Sequence, residues 1–223
     1  MSGTGKPKEY TVEDYLESLF EAIRNVGVRY IHENFHDKGV DFTHVERAFT
    51  YEVYHQWSTL INDKNVRIDA EISKQFVDEN ISKLFVNTEN SERPYHRFYP
   101  DMVLHEGQGN SKNNFIVCEF KRMHNISNKL IIDDLKKLDL YVDQETKAGV
   151  SDWTPFHCGV FILIFHNTEG KCVQEELCNR LLSLSEDIIE NIPIPNQKKI
   201  ICCISDGTAL YYECLDKIMK AGR

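Results

Sequence analysis

The run Cys158-Gly159-Val160-Phe161-Ile162-Leu163-Ile164-Phe165 is the longest apolar stretch of the chain, and it constrains the fold most. It has the length of a strand and is too short to cross a bilayer. A strand that is apolar at every position has no solvent face. It must lie inside a sheet that is covered on both sides, as in α/β proteins. Such a sheet needs amphipathic helices around it, and the sequence supplies them. Thr11–Phe35 repeats apolar residues at Val12, Tyr15, Leu16, Leu19, Phe20, Ile23, Val26, Tyr30 and Ile31, with Thr11 as an N-cap. Thr43–Ile61 carries a stripe of Val45, Ala48, Phe49, Val53, Trp57 and Leu60. Further helices are expected over Ser127–Glu145 and Val173–Ile189, with a shorter one around Gln75–Phe85.

Three strands are expected between the second of these helices and Ser127. Val66–Ile72 alternates apolar and polar residues. Arg97–His105 and Phe115–Lys121 are rich in β-branched and aromatic residues. The last two flank Glu106–Asn114, a Gly/Asn-rich stretch suited to a hairpin loop. Pro193 and Pro195 interrupt the chain before a final strand at Lys199–Ile204 and a closing helix or strand at Ala209–Met219. The expected fold class is α/β, a central mixed sheet flanked by helices, in the order helix, three strands, helix, strand. A chain of 223 residues, 41% hydrophobic, suits one domain over residues 1–223. Within it, 1–40 reads as an N-terminal helical extension, 43–166 as the core, and 171–223 as C-terminal helix and strand elements.

Seven cysteines without a C-x-x-C pair argue against a disulfide framework or a zinc-thiolate site, so reduced, mostly buried thiols are expected. The polar N-terminus lacks the apolar core of a signal peptide, and a cytoplasmic protein with no membrane partner is the expectation. The net charge of −9 points away from bulk polyanion binding. Against it stands a local group of bases around the two strands: Arg93, Arg97, Lys121, Arg122, Lys129, Lys136 and Lys137.

Chemistry enters at Tyr99-Pro100-Asp101 and Glu119-Phe120-Lys121. Side chains alternate faces along a strand, so Glu119 and Lys121 share one face while Cys118 and Phe120 take the other. An Asp on the neighbouring strand can reach the same place. Two carboxylates and an ammonium can hold a divalent ion and a polarised water. Pro-Asp on one strand and Glu-x-Lys on the next, in this element order, resemble the PD-(D/E)XK nuclease superfamily, the restriction-endonuclease-like fold. The resemblance covers about Thr43–Phe165. It implies a metal-dependent nuclease hydrolysing phosphodiester bonds, in DNA first of all. Mg²⁺ or Mn²⁺ would be held by Asp101 and Glu119. Lys121 would position or activate the attacking water and steady the phosphorane charge. A Glu from the preceding helix often joins such sites, and Glu46 is the nearest match as catalytic and metal-binding residue, with Glu52 second. The resemblance also allows a homodimer.

Plainer explanations exist for the same residues. Pro100-Asp101 also suits a turn into an edge strand, and Glu119 with Lys121 a solvated face bearing a weak ion pair. Glu46 also completes a capping box with Thr43. Glu71 suits a solvent-facing strand position as well as a metal site. The domain could also serve as an inactive binding or assembly module. A third alternative is a zinc peptidase, because His32-Glu33-Asn34-Phe35-His36 matches H-E-x-x-H, with Glu52 as a conceivable third ligand. His105 shares strand parity with Asp101 and is expected to border the site. His96, His157 and His166 read as local hydrogen-bonding residues.

Overall fold

The structure, a computed structural model, describes residues 10–32, 43–70, 100–106, 113–124, 126–143 and 154–222. Six strands form one mixed open sheet: β1 (Val66–Ala70), β2 (Met102–Glu106), β3 (Asn114–Arg122), β4 (Phe156–Ile164), β5 (Ile200–Ser205) and β6 (Leu210–Cys214). They lie side by side in that order. β1, β2 and β3 are antiparallel neighbours, β3, β4 and β5 run parallel, and β6 returns antiparallel to β5. The apolar run is strand β4, paired on both sides and buried on both faces.

Two hydrophobic layers enclose the sheet. On one face α1 (Val12–Arg24), α2 (Arg29–His32) and α3 (Thr43–Leu60) pack against Met102, Leu104, Ile116, Cys118, Phe120, Val160 and Ile162. On the other, α4 (Asn128–Val142), α5 (Val173–Leu182), α6 (Ser185–Asn191) and α8 (Leu215–Ala221) pack against Val103, Val117, Phe161, Leu163, Cys202 and Ile204. A one-turn helix, α7 (Ile194–Gln197), precedes β5. α4 lies close to the sheet because Gly159 presents no side chain to it. A Cβ there would meet Leu138 Cβ at 3.3 Å. Over 43–164 the described elements run helix, three strands, helix, strand, the order expected from the sequence.

Several boundaries differ from expectation. The first helix breaks after Arg24, where the Asn25 N–H caps on Glu21 O and Ile23 O, and a single turn resumes at Arg29. Periodicity runs through this break, but packing overrides it. Val28 sits directly on Gly207, whose φ of +81° holds the β5–β6 turn. The helix expected over 173–189 is two helices, the first capped at Ser183 and the second beginning at Ser185, with Leu184 and Ile188 both buried in the core. Pro193 and Pro195 begin α7 rather than only interrupting the chain, since the first turn of a helix needs no N–H from them. Residues 209–219 form both a strand and a helix, joined at Cys214. The seven thiols are unpaired, with Cys118, Cys158, Cys202 and Cys203 buried. Among the described residues no helix is long and apolar enough to cross a membrane.

Candidate functional site

The α4-facing side of β3 changes character partway along the strand. Val117 joins the apolar layer, but the next two positions of the same parity are Glu119 and Lys121. Asp101 reaches them from β2. Met102 lies opposite Cys118, so the residue before it falls beside Glu119. The strand expected at 97–105 begins only at Met102, while Asp101 occupies a bend and Tyr99 lies outside the described residues. The bend has a local cause. The Asp101 N–H donates to Cys118 O at 3.1 Å, and its carboxylate turns back to accept the Phe120 N–H at 2.7 Å. The side chain thereby continues the ladder in place of a backbone carbonyl.

Two residues of α4 complete the group: Lys137, one of the bases clustered in sequence around the strands, and Asp134, which local pattern does not mark. Asp134 is buried and holds two ammoniums: Lys137 Nζ donates to its Oδ1 at 2.6 Å, and Lys121 Nζ lies 3.3 Å from Oδ2. Lys137 also lies 3.6 Å from Glu119 Oε2. The spacing of Asp134 and Lys137, three apart on one helix face, was the available signal. It was obscured because Asp134 sits among the apolar positions of α4. Glu46 approaches from α3. Its Oε2 accepts the Arg122 N–H at 3.1 Å, and its Oε1 lies 3.9 Å from Lys121 Nζ. The carboxylate is therefore directed at the end of β3.

The electrostatics reflect crowding of like charges in a dry place. Glu119 is 1% exposed, and its Oε1 has no hydrogen-bond partner. Burial, then the neighbouring Asp101 charge, pushes the Glu119 carboxyl well above its ordinary range. Burial likewise raises Asp101 to about 6, although the Phe120 N–H and the Lys121 charge pull the other way. For Lys121 and Lys137, burial alone would favour the neutral amine. Asp134 and Glu46 overcome it at Lys121, Glu119 and Asp134 overcome it at Lys137, and both ammoniums are held above the usual lysine range.

Net charge and one open carboxylate oxygen are the two features of this group that suit a divalent ion. Four carboxyls (Glu46, Asp101, Glu119, Asp134) face two ammoniums (Lys121, Lys137), so the fully ionised group carries a net charge of −2. The unpartnered Glu119 Oε1 is an available oxygen donor beside a second carboxylate. Among the described residues no three or more His, Cys, Asp or Glu side chains gather as a ready metal cage, so Asp101, Glu119 and Glu46 do not form one. A hard ion that keeps several of its waters needs only one or two protein carboxylates.

The remaining candidates lie elsewhere. Glu52 accepts from Tyr30 Oη at 2.9 Å and Gln56 Nε2 at 2.7 Å on α3. His105 does not border the site. Its ring nitrogens face Asp69 Oδ2 on β1 at 2.9 Å and Glu106 O at 2.6 Å, at the β1 edge of the sheet. His157 stacks on Phe115 with ring centroids 6.2 Å apart. Residues 33–36 of the H-E-x-x-H segment, the His32 and Thr43 side chains, Glu71, Arg93, His96, Arg97 and residues 75–85 lie outside the described residues. No protein-family model, curated protein or solved structure matches this chain.

Proposed function

We propose that the chain is a metal-dependent nuclease of the restriction-endonuclease-like type, hydrolysing phosphodiester bonds in DNA. One observation carries this reading: Asp101 and Lys121, singled out with Glu119 by their motif, both act electrostatically on Glu119, whose buried Oε1 lacks a hydrogen-bond partner. An ionised carboxylate without a partner is costly to bury, so burial favours the protonated Glu119 carboxyl, and a bound cation would take the place of that proton. The helix, three-strand, helix, strand order and the mixed sheet support the same reading.

Asp101 and Glu119 would hold Mg²⁺ or Mn²⁺, with Glu46 the weaker candidate ligand. Such an ion, once bound, supplies positive charge to a phosphoryl group and lowers the pKa of a water. Lys121 contributes separately. Pinned by Asp134 and Glu46, its ammonium stays protonated and fixed in direction, ready to stabilise charge developing on a phosphate. The Phe120 N–H fixes the Asp101 carboxylate, so that group needs little reorganisation to bind a cation. Local bases Arg122, Lys129 and Lys136 flank the site in sequence and would meet the nucleic-acid backbone despite the acidic whole.

The test is cleavage of plasmid and linear DNA by purified protein with Mg²⁺ or Mn²⁺, alongside chelator. Activity that requires the metal and disappears in Glu119→Gln supports the proposal. Metal-independent or variant-independent cleavage rejects it, and DNA binding without cleavage turns the reading to a binding module.

A further inference from the structure

The Lys137 ammonium stands beside Glu119, one of the two proposed metal ligands. Lys137 Nζ stands 3.6 Å from Glu119 Oε2, while Glu119 Oε1 is bare. The same ammonium donates to Asp134 Oδ1 at 2.6 Å, a shorter and better-formed contact. Lys137 is therefore shared unequally between two buried carboxylates on different elements, one on β3 and one on its own helix. A lysine ammonium is a compact charge on a flexible stem, able to shift without breaking its closer bond. A divalent ion at Glu119 and Asp101 would stand against that ammonium at near-contact distance, and their repulsion in a desolvated place is strong.

We infer that Lys137 is the resident counter-cation of Glu119, withdrawn onto Asp134 when a divalent ion enters, so that the Lys137–Asp134 pair sets the metal affinity of the site. In the metal-free chain Lys137 is the stronger of two ammoniums that oppose the Asp101 charge at Glu119, and it alone makes an ion-pair contact there. With metal present the ion takes over that compensation, and Asp134 keeps the displaced ammonium nearby. Lys121 has a different part. It lies against Asp134 Oδ2 and Glu46, with no ion-pair contact to Glu119, and need not move. This inference rests on the proposed metal site.

Mn²⁺ titration by calorimetry at alkaline pH tests it on folded full-length protein, with wild type, Lys137→Met, Lys121→Met, Asp134→Asn and Glu119→Gln compared. Lys137→Met should tighten binding about tenfold, since no ammonium has to be displaced. Lys121→Met removes a charge that acts on Asp101 but makes no ion-pair contact with Glu119, and should tighten binding less than Lys137→Met does. Asp134→Asn deprives Lys137 of its alternative partner and should weaken binding. Equal or weaker binding by Lys137→Met, or equal tightening by both lysine variants, would overturn the inference while leaving the metal site standing. Wild-type binding that Glu119→Gln does not alter would overturn both. If Lys137→Met is poorly folded, Lys137→Gln keeps the comparison, with the same tightening expected and its absence counting against displacement.

Discussion

Asp101 accepts the backbone N–H of Phe120 at 2.7 Å, so the carboxylate just before β2 is fastened to the residue lying between Glu119 and Lys121. This bond ties the two halves of the motif together without using either charged side chain of β3. It also leaves the second oxygen of Asp101 for other work.

Asp101→Asn preserves an acceptor for Phe120 and removes only the charge. It should fold normally and lose most Mn²⁺ affinity in a calorimetric titration. Unchanged affinity in both Asp101→Asn and Glu119→Gln would remove these residues as ligands.

The pH dependence of stability follows from the same residue. Its folded pKa of about 6 exceeds the ordinary 3.8, so the folded chain binds the proton more tightly than the unfolded one. Between those values stability therefore rises as pH falls, and ionised Asp101 costs about 3 kcal/mol above pH 6. Denaturant unfolding of metal-free protein should show this gain from neutral pH down to the lower value, and Asp101→Asn should reduce its slope, the raised Glu119 supplying the remainder. Saturating Mn²⁺ should reverse the trend, because ion and proton compete for the same oxygens. A metal-free stability that rises with pH across this window would contradict the burial argument.

Glu46 separates charge from hydrogen bonding. Glu46→Gln can still accept the Arg122 N–H, so its melting temperature should stay close to wild type. The lost charge beside Lys121 should lower nuclease activity. Glu46→Ala removes the acceptor as well and should cost about 1–2 kcal/mol in chemical denaturation. Normal specific activity in Glu46→Gln would reduce Glu46 to a structural role.

Gly207 tests the break between α1 and α2. Its φ of +81° disfavours any side chain, and an added Cβ would stand 2.8 Å from Val28 Cα. Gly207→Ala should destabilise the fold by about 2–3 kcal/mol, read from urea unfolding. A neutral effect would mean that residues 25–28 are not held by this contact.

Much of this architecture was legible in the sequence because apolar spacing marks the faces of helices and strands. Cys158–Phe165 reads as a central strand, and Glu119 and Lys121 read as sharing a face, from local pattern alone. What local pattern misses is set by distant contacts. The break at Asn25 depends on Gly207, far along the chain. His105 has the parity of Asp101, but it lies four residues further along the chain and its ring meets Asp69 on the neighbouring β1. Asp134 is the instructive omission. A buried Asp on an amphipathic helix looks like an error of pattern until the lysines of β3 and α4 are seen around it.

Single-turnover cleavage of DNA in Mg²⁺ by Lys121→Ala tests the central claim most directly, because Lys121 need not touch the metal. The account predicts normal folding and Mn²⁺ affinity, with cleavage slowed by a factor of about 10²–10³ relative to wild type. Identical trace cleavage by the two proteins on duplex DNA, single-stranded DNA and RNA would contradict it, and the assembly of Asp101, Glu119 and Lys121 would then have to be explained without catalysis.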